Sequence, residues 1–366
     1  MERPQREYLI GLNLIPALTP RRMERLLHHF PTPQTAWEAT AEELAAVSGF
    51  ADVAAKIASE RSERALDREL ARCAERKIRF VTRLDRDYPP LLREISAPPA
   101  VLYVKGEGLL GATRTVAIVG TRRSSRYGRA VAERLAGDLA QRRFVVVSGL
   151  AIGIDASAHR GALKEGGVTA AVLGAGFLYP YPACNKELAQ EIIQNGLLVS
   201  EYALDTRPTK WTFPQRNRIL SGLARGVVVV EAPERSGALI TAQLALDQGR
   251  EVFAVPGNVT NTASCGANRL IQEGAKLVAS VEDILGEFPD LAPVPAIAPE
   301  DAKTAASGLS DIERQVYEMI GLEPMHIDDI IARGGLSPSE AAHTVLLLQF
   351  KHLIQEVEGR RYIRTL

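Results

Sequence analysis

Six short runs govern what this chain can fold into: "TVAIVG", "RFVVVSG", "TAAVLG", "LLVSEY", "GVVVVEA" and "EVFAVPG". Each is apolar at almost every position and is stopped by a glycine or a polar turn. A strand with one wet face alternates apolar and polar residues. A near-continuous apolar run suits a strand covered on both faces, as in a parallel sheet. Amphipathic stretches such as "GRAVAERLAGDLAQR" and "NKELAQEIIQNG" lie between the runs, so the repeating unit is strand, helix, strand. That pattern predicts an α/β, doubly wound, mostly parallel sheet, whose ligands sit beyond the carboxyl ends of the strands.

The 366 residues are enough for two or three domains, and the texture divides them. Residues 1–68 read as short helices. "TPRRMERLLHHF" has a Thr19 cap with Pro20 at the first helical position, and "TAEELAAVSGFADVAAKIA" pairs two apolar helices around Gly49. Leu44, Val47, Ala54 and Ile57 fit a helix-hairpin-helix, a turn able to offer N–H groups to phosphate. A plain packing module is the preferred reading, because only one turn glycine and few cations are present. Residues 69–288 hold the sheet, 289–306 form a Pro- and Ala-rich linker, and 307–366 give three helices and a hairpin around Glu358-Gly359, a winged-helix pattern. Ser337, Pro338 and Glu340 make a capping box. The third helix of this unit presents Ser339, Glu340 and His343 rather than cations, which argues against base readout.

The formal net charge is zero, so any polyanion site must be a local patch. Residues 114–143 supply one, with eight arginines against Glu133 and Asp138. The loop "IVGTRRSSRYGRAV" lacks the G-x-G-x-x-G of a dinucleotide site, and no acidic residue ends the second strand for a ribose. Arg122 and Arg123, on the loop itself, are the candidates for gripping nucleic acid, whereas Arg129 and Arg134 read as solvated helix. Gly120, Ser148, Gly149 and Gly153 allow close backbone approach, with phosphate-friendly N–H groups at the next helix start. Asp155 and His159 lie four apart on one helical face and read as loop support rather than an acid–base pair. Ser148 is not in G-x-S-x-G, so no nucleophile elbow is present. The loop "GAGFLYPYPACNKEL" adds Lys186. Ser236, Gly237 and Thr241 mark another helix start suited to phosphate.

The stretch "RPTKWTFPQRNRILSG" interleaves Arg207, Lys210, Arg216 and Arg218 with Trp211 and Phe213. Cations alternating with aromatics suit single-stranded nucleic acid: charge for phosphates, a ring face for an unstacked base. Phe213 is read as the stacking ring and Trp211 as core. Pro208 and Pro214 are read as excluding a regular helix.

Taken together, "AIVGTRRSSRYG", "VVSGLAIGIDASAHRGAL", "VLGAGFLYPYPACNKEL", "SEYALDTRPTKWTFPQRNRILSGL", "VVVVEAPERSGALITAQLALDQGREVFAVPG" and "GANRLIQEGA" resemble the bacterial DNA-processing protein A family (DprA, also called Smf). The resemblance implies a Rossmann-like domain between a helical domain similar to a sterile-alpha-motif or helical hairpin and a winged helix. It implies binding and protection of single-stranded DNA during natural transformation, loading of the RecA recombinase, a homodimer, no cofactor and no chemical step. By motif it places Arg122, Lys210 and Phe213 on the DNA. Ser148, Gly149, Lys186, Arg216, Asn217 and Arg218 complete the expected DNA contacts. Ile271 and Leu277 fall near the implied dimer edge. One position departs from the pattern: some relatives carry a lysine after "YP", where this chain has Ala183, with Lys186 as a substitute.

The alternative is a hydrolase of nucleoside monophosphates from the same broad fold superfamily, but its P-G-G-x-G-T loop is absent. A winged-helix transcription regulator is disfavoured by the acidic third helix. Cys73, Cys184 and Cys265 match no zinc spacing and read as free thiols, no metal site is expected, and no apolar run reaches membrane-span length. With no clear signal peptide, the cytoplasm is the expected location.

Overall fold

The computed structural model describes residues 3–108, 110–179, 182–291, 309–321, 324–350, 353–357 and 359–364. Most of the expected linker, and Glu358 of the expected hairpin turn, lie outside the described residues. All six apolar runs are strands: β3 (Thr115–Val119), β4 (Val145–Ser148), β5 (Thr169–Val172), β6 (Leu197–Ser200), β7 (Gly226–Val229) and β8 (Glu251–Ala254). With β1 (Arg79–Thr82), β2 (Val101–Gly106) and β9 (Lys276–Leu277) they form a nine-stranded sheet of order β1-β2-β6-β5-β4-β3-β7-β8-β9. Neighbours from β6 to β9 run parallel, while β2 is antiparallel to both β6 and β1.

The side-chain alternation shows why the runs are apolar throughout. Val116 and Ile118 of β3 point into a core closed by α8 (Arg126–Gln141), α9 (Ile154–Lys164) and α14 (Val281–Leu285). Ala117 and Val119 point the other way, into a core closed by α11 (Thr212–Gly222), α12 (Gly237–Asp247) and α13 (Cys265–Gln272). The inner strands β3, β5, β6 and β7 are buried along their whole length, covered on both faces as a doubly wound sheet requires. Helix α10 (Lys186–Asn195) packs over β5 and β6.

The N-terminal helices α1 (Gln5–Asn13), α2 (Pro20–His29), α3 (Pro33–Glu38), α4 (Ala41–Ala45) and α5 (Ala54–Glu60) are followed by α6 (Glu63–Glu75) and, past β1, the short α7 (Pro90–Arg93). The expected boundary at residue 68 falls inside α6. That helix is continuous from its Ser62 cap and buries Leu66, Glu69 and Cys73 in the helical core, so the physical edge of this module lies after Glu75. Leu44, Val47, Ala54 and Ile57 are buried around Gly49, as either a hairpin or a plain packing module would have them. The core also takes in Tyr103 and Leu204 of the sheet region, so the helical module is welded to it.

The C-terminal unit has helices Asp311–Met319, Ile327–Gly334 and Pro338–Phe350 and a three-stranded sheet of Met325–His326, Arg361–Arg364 and Ile354–Val357. It has its own core, including Val316, Ile330 and Leu348. The Ser337–Glu340 capping box is formed, with each residue's backbone N–H donating to the other's side chain at 2.9 and 3.3 Å.

Candidate nucleic-acid interface

Chain connections leave β3 in one direction toward β4, β5 and β6, and the sheet resumes on its other side with β7, β8 and β9. The strand order therefore reverses between β3 and β7, and the loops that follow these strands must part there. A crevice of about 530 Å³ opens at that point, lined from the β3–α8, β4–α9 and β7–α12 loops, by Lys210, and by the first turns of α11.

Its wall is built on Glu231, the residue after the β7 apolar run. Thr121 N–H donates to the Glu231 carbonyl at 2.7 Å, and the buried carboxylate accepts from Ser125 N–H at 2.9 Å and Ser125 Oγ at 2.5 Å. Ser125 in turn caps α8 by accepting from Gly128 N–H at 2.9 Å. A side chain at Gly128 would collide with the Glu231 carboxylate, which explains the glycine. Gly153, at φ 85°, lies against the Thr121 carbonyl and occupies a left-handed conformation that a side chain would strain. Gly120 packs between Ile154 and Glu231. With its backbone tied down on three sides, this loop holds the exposed Arg122 and Arg123 at the crevice.

Across from them, Phe213 is half-buried against Gly174, and the Arg122 guanidinium carbon sits 5.2 Å from its ring centroid. Lys210, Arg235, Ser236 and Gly237 complete the rim. Ser236 caps α12, its Oγ accepting from Ala238 N–H at 3.2 Å, and Thr241 Oγ donates to the Gly237 carbonyl at 3.3 Å. Among the described residues, Arg122, Arg123, Lys210 and Arg235 make no salt bridge, so the crevice carries uncompensated positive charge.

Several expected contact residues lie elsewhere or face inward. Arg216 is buried in the crevice floor, donating to the carbonyls of Val172 and Gly149, the latter at 2.9 Å. Burial pushes its pKa down to about 10, against the pull of Asp155. It therefore stays charged near neutral pH as a strut between loops rather than a free fork. The Asp155 carboxyl is raised by burial, opposed by Arg216 and by N–H groups of Ala151 and Gly149, so it supports the β4–α9 loop. Asn217 Nδ2 donates to the Gly237 carbonyl at 3.4 Å. Ser148 is fully buried with its Oγ donating to the Ile118 carbonyl at 2.7 Å, so its hydroxyl faces the sheet. Gly149 is also buried. Arg218 forms a largely buried pair with Glu201, and Lys186 is exposed at the start of α10, outside the crevice lining.

His159 does not meet Asp155. Its Nδ1 lies 2.7 Å from Thr169 Oγ1, whose proton is committed to the Val146 carbonyl at 2.6 Å, so Nδ1 carries the ring hydrogen. Burial drops its pKa to about 3 and the ring is neutral. Trp211, expected in the core, is 68% exposed. The sequence reading failed at Pro214. It stands in the first turn of α11, where its missing N–H has no intrahelical partner to lose, so the helix starts at Thr212 and leaves Trp211 outside. Glu231 and Arg235 were missed. An acid closing the all-apolar "VVVV" run was the available signal for Glu231. Ile271 is half-buried behind β9, and Leu277 is exposed on it. Among the described residues no group of His, Cys, Asp or Glu could hold a metal ion, and the three cysteines are free.

The family model for DNA recombination-mediator protein A matches residues 79–289. The chain belongs to the DprA/Smf family. A model of the DprA winged helix domain matches residues 300–360. Protein Smf of Synechocystis sp. is 33% identical to this DprA/Smf member over 100% of both chains, and DNA processing protein DprA of Bacillus subtilis is 45% identical over 62% of this chain and 76% of its own length. The solved DprA of Streptococcus pneumoniae superimposes with a TM-score of 0.68 at 37% identity, covering 78% of this chain and 99% of its own. A Helicobacter pylori family structure, described for its single-stranded DNA binding mode, gives a TM-score of 0.52 at 31% identity over 58% of this chain and 96% of its own. Among the described residues no helix is long and apolar enough to cross a membrane.

Proposed function

We propose that this protein binds single-stranded DNA through the crevice between β3 and β7, protects it during natural transformation, and hands it to the RecA recombinase as a cytoplasmic homodimer. One observation carries the binding reading: Arg122 stacks on Phe213 at the mouth of a crevice whose rim cations, Arg122, Arg123, Lys210 and Arg235, make no salt bridge among the described residues. Phosphates take the charge of Arg122, Arg123 and Lys210, and an unstacked base takes the ring of Phe213. Family membership supports the transformation role, and the single-stranded DNA binding described for the Helicobacter pylori relative supports the ligand. Lys186 and Asn217 extend the proposed contacts, while Gly120, Ser148, Gly149, Gly153, Asp155, Arg216, Ser236, Gly237 and Thr241 hold the loops in place.

No chemical step is proposed. The crevice carboxylate, Asp155, is held by Arg216 and backbone N–H groups, and the nearest imidazole is sealed under α9. Titration of oligo-dT across strand length, with mononucleotides alongside, tests the reading. Affinity that rises with length and falls steeply with salt is expected. Equal affinity for thymidine monophosphate and for the oligomer, or release of free base from a nucleotide, would sink it and favour a nucleotide hydrolase.

A further inference from the structure

The crevice accounts for Arg122, Lys210 and Phe213 and leaves the neighbouring Trp211 unexplained. It is 68% exposed, so its ring offers a π face next in sequence to the crevice-lining Lys210. Its ring is not isolated: Lys210 Nζ lies 5.0 Å from the centroid. A third pairing lies further along the same seam, with the Arg207 guanidinium carbon 5.4 Å from the centroid of Tyr179.

The backbone sets these pairs in an order. The β5–α10 loop runs beside the segment that follows β6, tied by hydrogen bonds from Gly176 N–H to the Thr206 carbonyl at 2.9 Å and from Leu178 N–H to the Leu204 carbonyl at 3.2 Å. At one end of the seam Phe213 packs on Gly174, and at the other Arg207 covers Tyr179. Lys210 and Trp211 fall between them in sequence, at a turn fixed by Thr209 and Thr212. There Thr212 Oγ1 donates to the Thr209 carbonyl at 3.0 Å and accepts from Thr209 N–H at 3.0 Å. Trp211 and Phe213 are two residues apart, so their Cα atoms are separated by at most about 7.6 Å. Three ring–cation pairs thus belong to the two segments joined along this seam, and of the three rings only Phe213 lines the crevice.

We infer that Trp211 with Lys210, and Tyr179 with Arg207, form a second stacking platform that receives the bases of a single strand after it leaves the Phe213 step. This inference rests on the single-stranded DNA reading of the crevice. Each pair offers what the first one does: a π face for a base and a cation for the adjoining phosphate, with no demand on base identity. The occupant is therefore an unstructured strand rather than a particular sequence, and the platform lengthens the site instead of sharpening its specificity.

The test uses the full chain and two lengths of oligo-dT, on the order of 4 and 16 nucleotides. Binding is followed by anisotropy and, separately, by tryptophan emission. The chain has two tryptophans and Trp37 is buried among the N-terminal helices, so the difference in emission between wild type and Trp211→Phe isolates Trp211. The long oligomer is expected to quench that difference signal. Trp211→Ala and Tyr179→Ala should each shrink the gain in affinity from short to long by about fivefold or more, while Trp211→Phe retains most of it. Arg122→Ala should weaken both lengths alike, which separates crevice from platform. If the long oligomer binds wild type but Trp211 emission is unmoved and Trp211→Ala keeps the full gain, the platform does not exist. If neither length binds wild type, the crevice reading fails first, and the two failures are distinct.

Discussion

Arg122 and Arg216 line the same crevice and answer to opposite demands. Arg122 is exposed, with its backbone fixed by the loop and its guanidinium resting on the Phe213 ring, and is open to a phosphate. Arg216 is buried, with the carbonyl oxygens of Val172 at the end of β5 and Gly149 in the β4–α9 loop, and the Asp155 carboxylate, around it. Replacing Arg122 by alanine should leave the melting temperature nearly unchanged, weaken oligo-dT binding, and flatten the log–log salt dependence by about 0.7 for the one phosphate contact removed. Replacing Arg216 by methionine strands a buried carboxylate, and the loss should read as unfolding free energy of about 3–5 kcal/mol in denaturant titrations. His159 gives a pH prediction with a definite sign. Its folded pKa of about 3 lies below the about 6.5 of an unfolded histidine, so the unfolded chain binds the extra proton. The stability this provides is complete above about pH 6.5 and declines on acidification at up to about 1.4 kcal/mol per pH unit until the folded pKa is reached. Denaturation curves at pH 7 and 5 should show that slope in wild type. It should be absent from the difference between the same two curves of His159→Asn. Sequence spacing put Asp155 and His159 on one face of α9, which is true, yet the charge partner of Asp155, Arg216, comes from α11 and the partner of His159, Thr169, from β5. Such partners are invisible to any local pattern.

At the level of elements, the strand runs were legible because burial on both faces leaves the same mark at every position of a strand. Strand β2 carries the same mark in Val101–Val104, buried on both faces although antiparallel to its neighbours, whereas the edge strand β1 begins at an exposed Arg79 and lacks it. Helix α11 shows the opposite failure. Two prolines within seven residues argued for irregular chain, but a proline in a first turn interrupts nothing. The Arg122 loop is also an element in the physical sense, because Glu231 joins it to the end of β7. A methyl group at Gly128 would collide with that carboxylate, so Gly128→Ala must displace either the loop or the start of α8. The expected result is a lowered melting temperature together with weaker oligo-dT binding, although residue 128 touches no ligand. Ser125→Ala removes the cap and one carboxylate partner while leaving the space unfilled, and should cost about 1–2 kcal/mol with a smaller effect on binding. Near-wild-type affinity in Gly128→Ala would show that the loop's backbone position is not what aims Arg122.

On the scale of the whole molecule, the nine-stranded sheet ends differently on its two sides. Beyond β6, the edge strands β2 and β1 carry the N-terminal helices, whose core shares Tyr103 and Leu204 with the sheet region. The β9 side has no such cover among the described residues. β9 is two residues long, its Lys276 and Leu277 are both exposed, and Leu246 of α12 is 54% exposed above a cleft of about 430 Å³ between α12, α13 and the sheet edge. An edge strand presents unpaired backbone N–H and C=O groups, and exposed leucines beside it add apolar surface that water does not favour. A second copy applied through a twofold axis would pair like with like and close the assembly at two chains, because the same patch serves both sides. The crevice lies two strands away, past β8 and β7 and on the other side of α12 from the edge cleft, so a dimer through β9 would keep both crevices open and give one particle two strand grips. Light scattering of wild type at micromolar concentration should give the mass of two chains, and Leu277→Asp should give one by placing like charges face to face across the axis. The monomeric variant should bind a short oligo-dT as wild type does and lose the added avidity on strands long enough to span both crevices. A variant that is still dimeric would move the interface off this edge, and a monomer with weakened short-oligomer binding would mean that β9 and the crevice are coupled through the sheet.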